Sequence, residues 1–334
     1  MLKLNIKMRK DYLIDLKHLL SLFLFLFSCQ DNYQNCSGLD YGSEHIKIKG
    51  VNESDKNYFK YFCKKTEVFG IKIYATENVA NDKLFHAASI LAEYLDNDED
   101  GTADNQRIVN RLIDKKAWLL MAMNEEESSA AIRFPIGNFA FLELYDDEVS
   151  IINGNPRFDA SLEEILHLIT QHGYAEVYPN KFGENKNSEI AKAMDEARGG
   201  YFKNVPNSYP SSAWYTYDDK TCNYSCQITE YTYWALTSIL GAQEFPGRLE
   251  EIQNEWKLNT KELVESTDKN LFALLTDPQI GAGDLIGVKS VDAALTETIV
   301  PVPFSASGLA VGKLVWMSCL DSCNCMLALR RRTS

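Results

Sequence analysis

The sequence predicts an α+β fold that combines a mixed sheet with helices and has a helix-rich second half. Residues 68–76 alternate apolar and polar side chains, as half-buried strands do. Residues 81–95 follow with an apolar stripe at helical spacing. A strand that leads directly into a helix indicates a mixed sheet. After residue 159 helical patterns follow one another, so we expect helices to dominate the second half.

The remaining elements are predicted from the same periodicities. In chain order they are a helix at 105–116, a buried strand at 117–123, a strand region at 139–151, and helices at 187–202 and 227–243. Between the last strand and the helix at 187–202 lies a short amphipathic helix. It is expected to start near Asp159 and to end at Gly173, because glycine is the usual residue just past a helix C-terminus.

Length and composition bound the possible functions. The chain has 334 residues, 45% of them hydrophobic, which is enough for a substantial core and argues against disorder over most of its length. Its net charge is −13 and its pI is near 5.0. These values exclude nucleic acid as a partner, because phosphate binding requires a surplus of Lys and Arg on one face. Acidic proteins of this kind more often hold cations.

Residues 1–28 are interpreted as a signal peptide. Basic residues precede an apolar run at 19–29 that is too short to span a bilayer. The run ends in LFSC, which resembles the lipobox of bacterial lipoproteins, and this resemblance implies lipid attachment at Cys29. Phe27 stands where a lipobox usually has a small residue, so plain secretion remains open. We therefore expect an extracytoplasmic protein, either a bacterial outer-membrane lipoprotein held at the membrane through Cys29 or a secreted protein.

The rest of the chain divides into three parts. A polar linker is predicted at 29–55, an α+β domain at 56–276, and an atypical tail at 277–334. The tail is rich in Gly, Ala, Ser and Val and poor in aromatic residues, so it is either disordered or an artefact of the gene model. We assign it no function.

Cysteine usage fits an oxidising compartment, where disulfides outrank thiolate metal sites. Cys222 and Cys226 are close enough in sequence to form a local bridge ahead of a helix. Cys36 and Cys63 either pair with each other or remain free. Connectivity beyond this does not follow from sequence.

Residues 96–104, DNDEDGTAD, resemble the calcium loop of an EF-hand. Oxygens at alternate positions surround one hard cation, and the glycine at position six permits the sharp turn. The predicted ligands are Asp96, Asp98, Asp100, the carbonyl of Thr102, and Asp104. Position twelve, usually a bidentate Glu, is Arg107, so we expect weak binding that suits extracellular calcium. The alternative is a solvated acidic turn, in which the close carboxylates would repel one another without a cation.

The helix after Asp159 contains EEILH at 163–167. Glu163 and His167 are four residues apart and share a helix face, and Glu164 lies three residues before His167. This pattern resembles the His-Glu-x-x-His signature of the zincin metallopeptidases, with the first His replaced by Glu. The resemblance implies a zincin-like fold, zinc ligands at Glu163 and His167, and a general base at Glu164.

A catalytic zinc site of this type has a third protein ligand. The resemblance to zincins that take a glutamate from a later helix implies Glu230, early in the helix at 227–243. His172 is the alternative third ligand if the helix ends at Gly173. His167 is expected to donate from its second ring nitrogen to a nearby acceptor.

The same residues also have a purely structural interpretation. Ser161 and Glu164 form an S-x-x-E capping box. Glu163 then favours the positive end of the helix dipole and His172 the negative end. In this interpretation the helix begins well and does no chemistry.

We therefore expect a calcium-binding, zincin-like, metal-dependent peptidase that is secreted or anchored at a surface. The alternative is a non-catalytic, calcium-stabilised surface protein that binds a polysaccharide, matrix component or protein through the aromatic loop 209–217. The enzyme requires its site residues to converge, whereas the binding protein requires an exposed aromatic surface. Tyr231 and Tyr233, which follow Glu230 in the predicted helix, either donate to an oxyanion or fill the core.

Overall fold

A computed structural model describes residues 36, 38–52, 55, 61–132, 140–151 and 158–277 of the chain. Within these ranges the α+β class is confirmed, with one six-stranded mixed sheet. The strands lie in the sheet in chain order: β1 (Asp40–Gly42), β2 (Lys47–Gly50), β3 (Lys64–Val68), β4 (Ile71–Ala75), β5 (Trp118–Ala122) and β6 (Phe141–Tyr145). Strands β1 to β4 pair antiparallel, and β5 joins β4 and β6 in parallel.

The prediction of a single strand at 68–76 was wrong at its start, because residues 68–71 contain a hairpin turn. Val68 pairs with Ile71, so Phe69 and Gly70 form a two-residue connection between β3 and β4. Both turn residues have positive φ, 48° and 85°, as the tight turns that suit twisted antiparallel strands require. Glycine accepts this conformation freely, and Phe69 adopts it beside the glycine.

The helices of the described ranges occupy the segments between and after the strands. The longer ones are α1 (Asn81–Leu95), α2 (Gln106–Asp114), α3 (Glu125–Ile132), α4 (Ala160–Ile169), α5 (Glu189–Ala197), α6 (Tyr224–Ile239), α7 (Arg248–Ile252), α8 (Lys261–Thr267) and α9 (Lys269–Leu275). Helix α1 has its predicted bounds. Helix α6 begins earlier than predicted because the Asn223 side chain caps it by accepting from the N–H of Cys226.

The core lies mainly on one face of the sheet. Strand β5 is apolar throughout and buried at every position, as expected of a strand covered on both faces. Leu119 and Met121 point into the large core shared with α1, α2, α4 and α6. Trp118 and Leu120 point to a smaller cluster on the opposite face, where Ala131 of α3 covers them. The sheet therefore sits between two helical layers of unequal thickness.

The sheet begins inside the segment that composition suggests is a linker. Strands β1 and β2 lie within residues 29–55, and Ile48 of β2 is completely buried. A disulfide between Cys36 and Cys63 ties this region to the start of β3. The linker assignment therefore fails for residues 40–50. Their polar composition reflects an edge position, since every residue of β1 is exposed.

Both disulfides of the described ranges agree with an oxidising compartment. Cys222 and Cys226 bridge as predicted, with Cα atoms 5.4 Å apart, and Cys36 pairs with Cys63. None of the described helices is both long and apolar enough to cross a membrane. The signal peptide, the lipobox cysteine Cys29 and the tail after Asp277 lie outside the described residues.

Candidate metal centres

The N-cap of helix α4 lies two residues before Ser161, the predicted N-cap. This residue is Asp159, whose side chain accepts from the N–H and the hydroxyl of Ser161. His86 of α1 also contacts Asp159, with Nε2 2.6 Å from Oδ2. The capping-box interpretation is therefore wrong, because Ser161 already lies inside the helix. Glu164 consequently has no capping role in this helix.

The predicted helix end at Gly173 is also wrong. The chain continues from α4 through a π-helical turn at Thr170–Tyr174 into a further helical turn at Ala175–Val177. Gly173 serves close packing instead: a Cβ there would lie 2.7 Å from Cγ2 of Ile108 in α2. A glycine at that point lets the two helices approach.

This continuation decides the position of His172. Its pKa is lowered, first by burial and then by the charge of Lys115, while Glu176 acts in the opposite direction. Lys115 and Glu176 form an ion pair of 2.7 Å beside α2. His172 therefore faces α2, and it is not part of the cluster around His167. The alternative third ligand is not supported.

Glu163, His167 and Glu230 converge as predicted. Each contributes one ligand atom, and these atoms all lie within 4.8 Å of one another. His167 Nε2 is 3.6 Å from Oε1 of Glu163 and 3.5 Å from Oε1 of Glu230. The first distance follows from the i, i+4 spacing on α4, whereas the second depends on α6 packing across α4.

His167 is buried between these carboxylates with its ring nitrogens unsatisfied. The residue is 5% exposed, and neither Nδ1 nor Nε2 makes a hydrogen bond within the described part of the chain. Its Nε2 contacts are longer than a normal N–H···O hydrogen bond. The acceptor expected for its second nitrogen is not found among these residues. The ring is instead held edge-on by Tyr233, with centroids 5.5 Å apart.

The spacing suits a bound cation. A tetrahedral ion with ligand bonds of about 2.0–2.1 Å keeps its ligand atoms roughly 3.3 Å apart. The measured 3.5 and 3.6 Å are close to this separation. The side chains of Glu163 and Glu230 are 26% and 14% exposed, so solvent reaches the cluster on the Glu163 side. One imidazole and two carboxylates form a ligand set that zinc accepts.

The electrostatics of the metal-free cluster also favour a cation. Burial opposes protonation of His167, but Glu163 and Glu230 outweigh it and raise its pKa. Burial also raises the pKa of Glu164 to about 8, with His167 lowering it and the other two glutamates raising it further. Carboxylates are thus crowded at a desolvated point with one imidazole between them, and a divalent ion would compensate this charge.

The predicted calcium loop, residues 96–104, is closed by backbone donors. Asp96 accepts from the N–H groups of Asp100 and Gly101, at 3.1 and 2.9 Å. Gly101 has φ of 86°, which gives the sharp turn predicted for position six. Asp96, Asp98 and Asp104 each bring a carboxylate oxygen within 4.8 Å of the other two. Three of the predicted ligands therefore gather at one point.

The other predicted calcium ligands have different contacts. Asp100 is not in the three-carboxylate group, and its side chain accepts from the N–H of Thr102 at 2.7 Å. Arg107, at position twelve, lies with its guanidinium 4.9 Å from the centre of the Tyr178 ring. Burial raises the pKa of Asp96 to about 6, and the charges of Asp100 and Asp104 add to this against the backbone donors.

Two residues near the His167 cluster escaped sequence reasoning. Tyr217 and Glu255 come from separate loops, and both interact electrostatically with Glu230 and Glu163. Glu255 lies in the stretch NEWKLN, which contains no motif that would predict a functional residue. Tyr217 lies in the predicted aromatic loop, but as a candidate binding residue rather than a neighbour of the metal ligands.

The aromatic residues of loop 209–217 and of α6 mostly turn inward. Tyr215 is fully buried, and Trp214 donates from its indole nitrogen to Asp268 at 2.8 Å. Tyr231 also donates to Asp268, at 2.6 Å. The hydroxyl of Tyr233 accepts from Gln243, and its residue is 1% exposed. Tyr231 and Tyr233 therefore fill the core.

Comparisons with protein-family models, with curated proteins and with solved structures found no match.

Proposed function

We propose that this protein is an extracytoplasmic, calcium-binding, metal-dependent peptidase with a zincin-like site on α4. One observation carries the proposal. His167 is almost completely buried, its ring nitrogens have no hydrogen-bond partner in the described ranges, and Nε2 points between two carboxylates at metal-ligand spacing. A metal ion bound at Nε2 would satisfy that nitrogen and both carboxylates together.

The site residues take the following roles in this proposal. Glu163, His167 and Glu230 would hold a zinc ion, which would act as a Lewis acid and make water nucleophilic near neutral pH. Glu164 has no capping role and makes no hydrogen bond or ion pair to another described residue. It therefore stays available to take the proton of the attacking water and to pass it to the leaving nitrogen.

The calcium loop has a supporting role. Asp96, Asp98 and Asp104 would hold calcium at the end of α1, and α1 contacts the metal helix through His86. Calcium would thereby stabilise the scaffold on which the site residues stand. The ligand set without a bidentate Glu suits the calcium levels outside cells.

The alternative, a surface protein that binds through loop 209–217, has less support. That function requires aromatic side chains that a partner can contact, yet Tyr215 is buried and the Trp214 indole is hydrogen-bonded to Asp268. The loop packs against the helical half of the domain and does not present an aromatic platform there.

Metal analysis tests the proposal. The exported chain, dialysed against trace zinc, should retain about one zinc per molecule, since a site with three protein ligands binds the ion tightly. His167→Ala and Glu230→Gln should lose the ion, while the exposed Glu250→Gln on α7 is the matched control and should keep it. Equal zinc content in the wild type and His167→Ala would contradict the metal site.

Membrane attachment has its own test. Cys29 would carry the lipid, so the wild-type chain expressed in a bacterium should incorporate labelled fatty acid and sediment with membranes. Cys29→Ser should do neither. Identical behaviour of the two chains would leave a plain signal peptide at residues 1–28.

A further inference from the structure

Glu184 lies between the two segments that bring His167 and Glu230 together. It follows the short helix Pro179–Phe182 and is half-buried. One of the segments is the π-helical turn Thr170–Tyr174, which begins three residues after His167. The other is the first half of α6, which carries Glu230. A residue that contacts both segments bears on the spacing of the two candidate ligands.

A hydrogen bond joins Glu184 to α6. The hydroxyl of Thr229 donates to Oε1 of Glu184 at 2.7 Å, a normal length for such a bond. The other acceptor near this hydroxyl, the carbonyl of Ser225 on the same helix, is further away at 3.3 Å. Thr229 is buried, so water does not compete freely for its hydroxyl. Since Glu230 is the next residue in the chain, this bond restrains the backbone from which Glu230 projects.

Glu184 also reaches the π-helical turn. It lines a small cavity together with Thr170 of the turn and Thr229 of α6. Burial raises the pKa of Glu184, while hydrogen bonds from Thr229 and then from Gln171 lower it. Gln171 lies in the turn, four residues after His167. One carboxyl group therefore accepts from both segments and holds them together.

The chain has little freedom to move at this point, because Gly183 closes a tight turn just before Glu184. The N–H of Gly183 donates to the carbonyl of Pro179 at 3.2 Å, and the N–H of Asn185 donates to the carbonyl of Gly183 at 2.8 Å. A Cβ at position 183 would lie 2.3 Å from the Pro179 carbonyl oxygen, so only glycine fits there. Glu184 is therefore presented to the two segments by a constrained turn.

The contact of His167 with Glu230 needs such a restraint more than its contact with Glu163. Glu163 and His167 are one helical turn apart on α4, so helix geometry sets their spacing. His167 and Glu230 stand on different helices, and the 3.5 Å between Nε2 and Oε1 depends on how those helices pack. A metal–ligand bond tolerates an error of only about 0.2 Å. A residue that braces the two helices therefore controls how well the third ligand fits.

We infer that Glu184 is a positioning residue for the metal site: it joins the π-helical turn to α6 and thereby sets the separation of His167 and Glu230. This inference rests on the proposed function, because the residues that Glu184 positions are the proposed ligands. Glu184 touches neither the ion nor the substrate in this role. It needs only to accept two hydrogen bonds, so the role does not depend on a negative charge.

Zinc affinity and the absorption of bound cobalt(II) test the inference without requiring hydrolysis. Glu184→Ala removes the acceptor, so its zinc dissociation constant, measured by competition with a chelator, should rise by roughly 10–100-fold. The visible absorption of its cobalt(II) form should also differ from that of the wild type, because this absorption depends on the arrangement of the ligands. Glu184→Gln keeps an oxygen acceptor and should restore most of the affinity. Glu189→Gln, at an exposed position of α5, is the matched control and should behave as the wild type.

Two variants of Thr229 probe the same contact from α6. Thr229→Val removes the hydroxyl at nearly the same volume, so it should weaken zinc binding in the same direction as Glu184→Ala. Thr229→Ser keeps the hydroxyl and should bind zinc as tightly as the wild type. This pair decides the outcome if Glu184→Ala does not fold.

Unchanged zinc affinity and an unchanged cobalt(II) spectrum in Glu184→Ala, or in Thr229→Val, would overturn the inference. A purely structural role would give that result together with a lower free energy of unfolding of the metal-free chain. A wild type that binds neither ion would overturn both the metal site and the inference. Metal binding that depends on Glu184 without any peptide hydrolysis would support the positioning role and contradict the peptidase.

Discussion

The hydroxyl of Tyr94 donates a hydrogen bond of 3.2 Å to the carbonyl of Leu162. Tyr94 lies two residues before Asp96, where the candidate calcium loop begins, and Leu162 immediately precedes Glu163 in α4. Helix α1 thus connects the two candidate metal centres, because it supports α4 through Tyr94 near its end and through His86 nearer its start. A substitution that loosens the loop at 96–104 is expected to disturb the His167 cluster, and one that loosens α4 is expected to disturb the loop.

Calcium should stabilise the folded chain. The ion binds the folded loop and not the unfolded chain, so a concentration ten times the dissociation constant adds about 1.4 kcal/mol and raises the melting temperature by roughly 3–6 °C. Asp98→Asn removes an exposed ligand and should abolish the shift, whereas Glu99→Gln in the same loop should keep it. Calorimetry with calcium and with a chelator measures this. Coincident curves for the wild type would contradict a calcium site.

Glu164→Gln should separate chemistry from folding. The amide keeps the volume of the side chain but cannot accept a proton, so hydrolysis should fall by roughly 10²–10⁴-fold. Zinc content should match that of the wild type because Glu164 is not a proposed ligand. Activity and metal are measured on the same preparation. Full activity of this variant would remove Glu164 from the mechanism.

His86→Ala should weaken the start of α4. His86 Nε2 lies 2.6 Å from the buried Asp159 carboxylate, and its loss leaves that group short of a partner. The expected cost is roughly 1–3 kcal/mol of unfolding free energy. Denaturant titration gives the value, and Glu250→Gln, at an exposed position of α7, serves as the control. If His86→Ala unfolds at the wild-type denaturant concentration, the contact does not stabilise the helix.

Protonation of Asp55 should lower the free energy of unfolding in acid. Burial opposes its ionisation, but hydrogen bonds from Lys65 and Tyr74 outweigh burial and hold the Asp55 pKa below its usual value of 3.8. A lowered folded-state pKa means that the contribution is present above the unfolded-state pKa and is lost as pH falls through the folded-state pKa. Asp55→Asn should therefore be less stable than the wild type at pH 6, with the difference shrinking below about pH 4. A difference that is constant from pH 6 to pH 3 would contradict this assignment.

The two disulfides should differ in their contribution. Cys36 and Cys63 are separated by 27 positions, and Cys222 and Cys226 by 4. Loop-closure entropy then assigns about 3.6 kcal/mol to the first bridge and about 2 kcal/mol to the second. Cys36→Ala/Cys63→Ala should thus unfold at lower denaturant than Cys222→Ala/Cys226→Ala. The reverse order would mean that the short bridge acts chiefly by holding the start of α6.

Local spacing predicted much of the site. Glu163 and His167 lie close together because residues four apart share a helix face, so their contact could be predicted as soon as the helix was predicted. The alternating aspartates around Gly101 could likewise be recognised from the sequence, because the hydrogen bonds that close this loop join residues only a few positions apart. The bounds of α1 followed from its apolar stripe.

Contacts between distant residues required the tertiary structure. Asp159, the N-cap of α4, also pairs with His86, 73 positions earlier, and no local pattern reports that pair. Glu230 rather than His172 joined His167 because α6 packs against α4 while Gly173 lets the π-turn lie against α2.

The sequence by itself therefore determined the fold class, the helix that carries EEILH, the spacing of the aspartates at 96–104 and the local Cys222–Cys226 bridge. Only the tertiary structure decided the start of the sheet and the third member of the cluster around His167. The physical reason is the range of the interactions. Helix periodicity and loop closure are set within a few residues, whereas a ligand set is completed by packing between segments far apart in the chain.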